Sequence, residues 1–296
     1  MRRALGASAV LVAAGLAAYW WVTAPVTSPD SVLAGLEPDI AAGEQVFYAG
    51  GCASCHAAPN ADGDARLIMA GGRAFPSNFG TFYAPNISPD QDYGIGDWSA
   101  LDLYNAMRHG VSPDGQHYYP AFPFTSYVRV TAQDVVSLHA FLMTLPASNE
   151  LNRDHDIGFP FSIRRNLGVW KWLYLDVDWV LGGDLTEEEQ RGRYLAEALG
   201  HCGECHTSRN ALGAPQRGRW LAGAPNPSGS GNIPNITPGG LDWSVSDIVA
   251  YFQSGFTPEF DTAGGHMADV IENLRELSDG DRQALAAYLK RVDAVE

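Results

Sequence analysis

Apolar residues recur at helical spacing behind five short polar starts: Ser99-x-x-Asp102, Thr131-x-x-Asp134, Thr186-x-x-Glu189, Ser244-x-x-Asp247 and Ser278-x-x-Asp281. In each, a hydroxyl residue precedes a carboxylate by three positions, the pattern by which a helix satisfies its first backbone N–H groups. Five helices are therefore predicted behind these starts. Long Gly/Pro/Asn-rich stretches, Gly71 to Asp97 and Leu212 to Leu241, show little strand alternation and read as irregular wraps. One run differs. From Ala4 to Val22, 19 residues broken only by Gly and Ser8 follow Arg2 and Arg3. As a helix this run rises about 28 Å, close to the ~30 Å of a hydrocarbon core. Tyr19, Trp20 and Trp21 near its end suit a membrane interface, and no small-residue cleavage site follows directly. The pattern predicts an all-α chain behind an N-terminal transmembrane helix, kept rather than cleaved, with its arginines on the cytoplasmic side.

The rest of the chain is one unit written twice. Gly43 to His56 (GEQVFYAGGCASCH) parallels Gly192 to His206 (GRYLAEALGHCGECH). Pro85-Asn86-Ile87-Ser88-Pro89 recurs as Pro234-Asn235-Ile236-Thr237-Pro238, and Asp97-Trp98-Ser99 as Asp242-Trp243-Ser244. Leu138, Phe141 and Leu142 answer to Leu285, Tyr288 and Leu289. A module of roughly 110 residues is large enough to hold its own core. The expected organisation is an anchor over 1–30, domains over 31–148 and 185–296, and a linker over 149–184. The repeated Pro-Asn-Ile motif and Trp98/Trp243 read as turn and packing residues.

All four cysteines lie in two copies of Cys-x-x-Cys-His: Cys52, Cys55 and His56, then Cys202, Cys205 and His206. Two thiols one helical turn apart, with a histidine next along the same face, suit covalent attachment to the two vinyl groups of a haem and ligation of its iron. A redox dithiol, a disulfide or a shared zinc site would leave the trailing histidines unexplained. The formal net charge of −15 is spread evenly, with 11 acids against 4 bases over 31–148 and 16 against 9 over 185–296. Such a surface argues against nucleic acid. It suits either docking to a basic protein face or plain solvation.

With these residues in hand, the modules resemble class I cytochrome c domains. The stretch NISPDQDYGIGDWSALDLYNAMRHGVSPDGQHYYPAF, together with GHMADVI, is similar to the membrane-bound multi-haem cytochrome c subunits of periplasmic alcohol, aldehyde and sugar-acid dehydrogenases. The resemblance runs from Gly43 to Val292. It implies two covalently bound haem c groups, maturation outside the cytoplasm, haem domains on the periplasmic side of the cell membrane, and redox-protein partners. The expected function is electron transfer from a periplasmic donor or dehydrogenase towards the respiratory chain. A di-haem enzyme acting on peroxide or another small molecule at an open first haem is the alternative.

A haem of this class takes His on one side and usually Met on the other, a soft thioether that raises the potential. The resemblance places the second module's ligand at Met267, in Gly264-Gly265-His266-Met267. Met107 and Met143 lie in apolar helical runs and read as core, while Met69 is unassigned. Carried back through the repeat, the Met267 position falls near Phe122, where relatives often have methionine. Phenylalanine cannot ligate iron. His117, five residues earlier, is the nearest donor and the expected sixth ligand of the first haem, with Met69, water or an open site as the other possibilities. The basic, aromatic stretch Phe159 to Tyr174 reads equally as a membrane or partner surface and as a linker helix between domains.

Overall fold

The computed structural model describes residues 2–227, 229 and 231–296, with side chains from Ala7 onward. Its helices, in chain order, are α1 (Arg2–Val22), α2 (Ile40–Ala49), α3 (Cys52–His56), α4 (Ala100–His109), α5 (Phe124–Tyr127), α6 (Ala132–Leu142), α7 (Leu167–Tyr174), α8 (Glu187–Arg193), α9 (Gly203–His206), α10 (Val245–Ser254), α11 (His266–Leu274) and α12 (Asp279–Arg291). Helix α8 runs on into a π-helical turn, Tyr194–Leu199.

The polar starts seen in the sequence do cap helices. Ser99, Thr186 and Ser244 form reciprocal capping boxes with Asp102, Glu189 and Asp247. Thr131 and Ser278 cap α6 and α12 by accepting from the backbone N–H groups of Asp134 and Asp281. In each repeat the first and last helices then cross where a glycine lets the backbones touch. A Cβ on Gly43 would lie 2.0 Å from the Ser137 carbonyl oxygen, and one on Gly192 would lie 1.9 Å from that of Ala284. No side chain fits at either position. Phe47 packs against Phe141 beside the first crossing, and the fully buried Tyr288 lies beside the second.

The expected all-α fold is corrected. Residues 71–97 and 212–241 are not wholly irregular. Strands β1 (Ala74–Ser77) and β2 (Gly80–Tyr83) pair antiparallel with β3 (Asp156–Ile157), and β4 (Ala224–Pro225) pairs with β5 (Asn232–Ile233). Strands of two to four residues are too short to show alternation, and β3 is supplied by the interrepeat segment.

The expected transmembrane helix is corrected as well. No helix among the described residues is long and apolar enough to cross a membrane. Positions 1–6 of the expected anchor carry side chains outside the described residues. Much of the stretch 7–22 is Ala and Gly rather than larger aliphatic residues. The end of α1 instead leans on the linker. Tyr19 donates to Asn166 Oδ1 at 2.8 Å, Arg165 donates to the Trp20 carbonyl at 2.8 Å, and its guanidinium lies 3.7 Å from the Trp20 ring centre.

The linker lies between the repeats. Trp170 of α7 is buried with Phe124 of the first repeat and Ala214 of the second, and donates to the Leu212 carbonyl at 2.8 Å. Its neighbours Trp172 and Leu173 remain exposed. Glu197, wholly buried in the π-helical turn, accepts from the backbone N–H of Val180 and Leu181 and from the Tyr288 hydroxyl at 2.6, 2.9 and 2.8 Å, tying the linker's end to the second repeat's core.

The Gly43 and Gly192 crossings set the first expectation: Gly43→Ala or Gly192→Ala should cost its own repeat about 1–3 kcal/mol, the usual cost of overpacking. Chemical denaturation followed by near-ultraviolet circular dichroism measures it. Midpoints equal to wild type would show that the helices can part without loss.

Candidate functional site

Each Cys-x-x-Cys-His run forms a short helical turn directly after a left-handed residue, Gly51 (φ 59°) before α3 and His201 (φ 39°) at the corresponding place before α9. The turn reverses the chain out of the preceding helix and sets both cysteines and the histidine on one short helix. No disulfide joins any two of the four cysteines. Burial pushes the Cys52 thiol up to about 12, Cys55 to about 11 and Cys202 to about 12, and raises Cys205. Among the described residues no group of three or more His, Cys, Asp or Glu is placed to hold a metal ion by itself.

The two histidines are held identically. His56 Nδ1 donates to the Pro85 carbonyl at 2.8 Å, and His206 Nδ1 donates to the Pro234 carbonyl at 2.9 Å. Burial lowers both pKa values below the usual histidine range, although the prolyl carbonyls pull the other way, so both rings are neutral at neutral pH. With the proton fixed on Nδ1, Nε2 carries the free lone pair in each ring. A backbone carbonyl behind an imidazole is the usual way a protein orients a ligating histidine.

The carbonyls are themselves fixed by the repeated Pro-Asn-Ile motif, which therefore does more than turn the chain. The Asn86 side chain accepts from Ser88 N at 2.9 Å and donates to Ser148 O at 2.8 Å. Asn235 accepts from Thr237 N at 2.9 Å and donates to Val295 O at 2.6 Å. Gly71 N and Gly223 N close on the His56 and His206 carbonyls at 2.7 and 2.8 Å. Neither prolyl carbonyl was singled out from sequence. Their signal was the recurrence of the motif at a matching distance behind each histidine.

On the other side of the site the repeats diverge. The bridge Val111–His117 matches the bridge Phe256–Thr262. The bonds Tyr118 N to Gly110 O and Phe122 N to Tyr119 O match Ala263 N to Gly255 O and Met267 N to Gly264 O. One constant offset carries all these pairs, and it sets Phe122 opposite Met267. Met267 is half-buried at the start of α11 and packs on the core. Phe122 is likewise partly buried, among Tyr118 and Tyr127.

His117 does not face this site with a free nitrogen. Its Nε2–H donates to the Thr23 carbonyl at 3.0 Å, and its Nδ1 accepts from Lys171 Nζ at 3.0 Å. Burial and the Lys171 and Arg165 charges hold the ring neutral, in agreement with those roles. Lys171 also donates to the carbonyls of His109 and Gly110 at 2.6 and 2.7 Å, so His117 belongs to a lock between α1, α7 and the first repeat. Sequence proximity to Phe122 gave no warning of this, because both partners come from outside the repeat's loop. Met69 is wholly buried and its carbonyl accepts from Ile87 N, as the Leu221 carbonyl accepts from Ile236 N. Its counterpart is thus a leucine two residues before the glycine that closes on the histidine, on the proline side of the site. Met107 is buried core in α4.

Comparison with known proteins agrees with this doubled geometry. The Cytochrome c family matches residues 40–146 and 190–293, each region holding one Cys-x-x-Cys-His turn. The chain is 57% identical over its full length to a diheme cytochrome c-type protein of Cereibacter sphaeroides, which it spans completely. It is 39% identical over 266 residues to the fructose dehydrogenase cytochrome subunit of Gluconobacter japonicus, covering 87% of this chain and 53% of that one. It is 35% identical over 268 residues to the gluconate 2-dehydrogenase cytochrome c subunit of Pantoea cypripedii, covering 85% and 59% respectively. The chain thus spans little more than half of those two dehydrogenase subunits. Two matched regions and a diheme relative establish two covalently bound haem c groups. With a thiol pair and an oriented neutral imidazole in each half, the chain belongs to the cytochrome c family.

Proposed function

We propose that the chain is a di-haem electron-transfer component, and not itself a catalyst, which passes single electrons from a dehydrogenase or another periplasmic donor towards the respiratory chain. The observation that carries this reading is the paired imidazoles, each neutral, each with Nδ1–H on a prolyl carbonyl and Nε2 free. Bound at such a site, haem c supplies one-electron chemistry at iron. Cys52 and Cys55 would hold the first haem and Cys202 and Cys205 the second, with His56 and His206 as the proximal ligands. The prolyl carbonyls raise the basicity of those ligands and fix their rings. The dehydrogenase cytochrome subunits among the relatives support a dehydrogenase partner. Attachment through Cys-x-x-Cys-His supports residence of the two repeats outside the cytoplasm.

On this reading the haems are chemically unequal. Met267 would supply a thioether to the second. At the first, Phe122 occupies the equivalent place, His117 is committed to Thr23 and Lys171, and Met69 is buried on the proline side, so no side chain on the Phe122 side would ligate the first haem.

Two outcomes are expected. Cys202→Ala or Cys205→Ala should damage only the second attachment, and denatured wild type should carry two haems by mass spectrometry; a single haem in wild type would defeat the reading. Carbon monoxide added to the reduced protein should bind at one of the two haems, and His117→Ala should leave that stoichiometry unaltered. If wild type binds none and His117→Ala binds one, His117 is the ligand after all.

A further inference from the structure

We infer that the first repeat positions the second repeat's methionine: Arg66, Arg73 and Ser54 hold Asp269 near the start of α11 and Asn273 near its end, and so fix Met267 for ligation. This rests on the reading of Met267 as a haem ligand.

Within its own repeat the Met267 segment is weakly held on its N-terminal side. Helix α11 begins at Gly265 (φ 55°) with no side-chain cap, and Gly264 and Gly265 have no neighbour within 4 Å of where a Cβ would stand. Only the far end, at Ile271, Asn273 and Leu274, is buried. The hold near Met267 comes from the other repeat. Asp269, two residues on, receives Arg73 Nη1 on Oδ2 at 2.6 Å and Arg66 Nη1 on Oδ1 at 3.3 Å, and Arg66 also pairs with Glu272.

The main chain is held too. The Asp269 carbonyl accepts from Asn273 Nδ2 at 2.6 Å and from Ser54 Oγ at 3.4 Å, and Asn273 Nδ2 donates to Ser54 Oγ at 2.8 Å. Ser54 stands between Cys52 and Cys55, inside the first repeat's attachment turn. His266, immediately before Met267, stacks on Phe75 of β1 with ring centres 6.3 Å apart.

The ion pairs are of the kind that matters. The side chains of Arg66, Arg73 and Asp269 are 17%, 23% and 24% exposed, so solvent screens them less than a free surface pair, and with Glu272 four charges share one network. A methionine competes for iron against water or any added ligand, and a segment already in place loses no ordering entropy on binding. Arg66, Arg73 and Ser54 are therefore positioning residues, acting through α11 rather than on the iron. The opposite contact is lighter: Thr125 Oγ1 donates to Glu204 Oε1 at 2.6 Å, joining the segment after Phe122 to the second attachment turn.

The test uses the full di-haem protein and imidazole as the competing ligand, read by absorption together with the potential of each haem. Asp269→Ala and Arg73→Ala should each let imidazole displace Met267 with about tenfold tighter apparent affinity, equivalent to about 1.4 kcal/mol of lost ligation. Arg73→Lys should recover most of the difference, and the double Ala variant should equal the singles rather than their sum. Haem content and far-ultraviolet circular dichroism should match wild type. If Arg73→Ala fails to assemble, Ser54→Ala and Arg73→Gln make the same test. Imidazole affinity at the second haem equal to wild type in these variants overturns the inference. Met267→Ala separates the two claims, because an unaltered second-haem spectrum there defeats the ligand reading itself.

Discussion

A histidine can offer iron only one nitrogen, and which one depends on where the other keeps its proton. In both repeats that choice is made by a prolyl carbonyl facing Nδ1, at 2.8 Å for His56 and 2.9 Å for His206. The rest of each repeat serves this contact. The asparagine after each proline pins the carbonyl, a glycine of each wrap, Gly71 or Gly223, closes on the histidine's own carbonyl, and the crossing at Gly43 or Gly192 brings the attachment turn to the core. Burial then keeps the ring neutral, so the lone pair is available across the physiological pH range.

Beyond that shared half the repeats were free to diverge, and they did so on the opposite side of the site. The hydrogen-bond frame around Phe122 is the frame around Met267, residue for residue, while the group it presents has changed from a thioether to an aromatic ring. On the proposed reading, the duplicated chain would hold one cofactor position closed by the Met267 sulphur and one faced by the Phe122 ring. The two are not independent. Asp269 and Asn273 reach Arg66, Arg73 and Ser54, and Thr125 reaches Glu204, so each attachment turn touches the segment around Met267 or Phe122 in the other repeat.

Much of this was legible in the residues. The Cys-x-x-Cys-His spacing is a chemical requirement of the cofactor, and the Ser-x-x-Asp starts are local hydrogen-bond patterns, so both survive translation into structure. What the sequence hid was non-local. Strand β3 pairs with β2 from some 70 residues away and carries only two residues of signal. His117 looked free because Thr23 and Lys171 are remote in sequence, and the Pro85 and Pro234 carbonyls are backbone atoms with no residue type to mark them. The run from Ala4 suggested a membrane span by length, yet among the described residues no helix is long and apolar enough.

The inequality of the two sites is the central claim, and low-temperature electron paramagnetic resonance of the oxidised protein addresses it most directly because each iron reports its own ligands. The account expects one low-spin signal of a His/Met site together with a separate high-spin signal of equal weight from the site facing Phe122. Two matching low-spin His/Met signals would contradict it, since a second methionine would then have to reach the iron past Phe122.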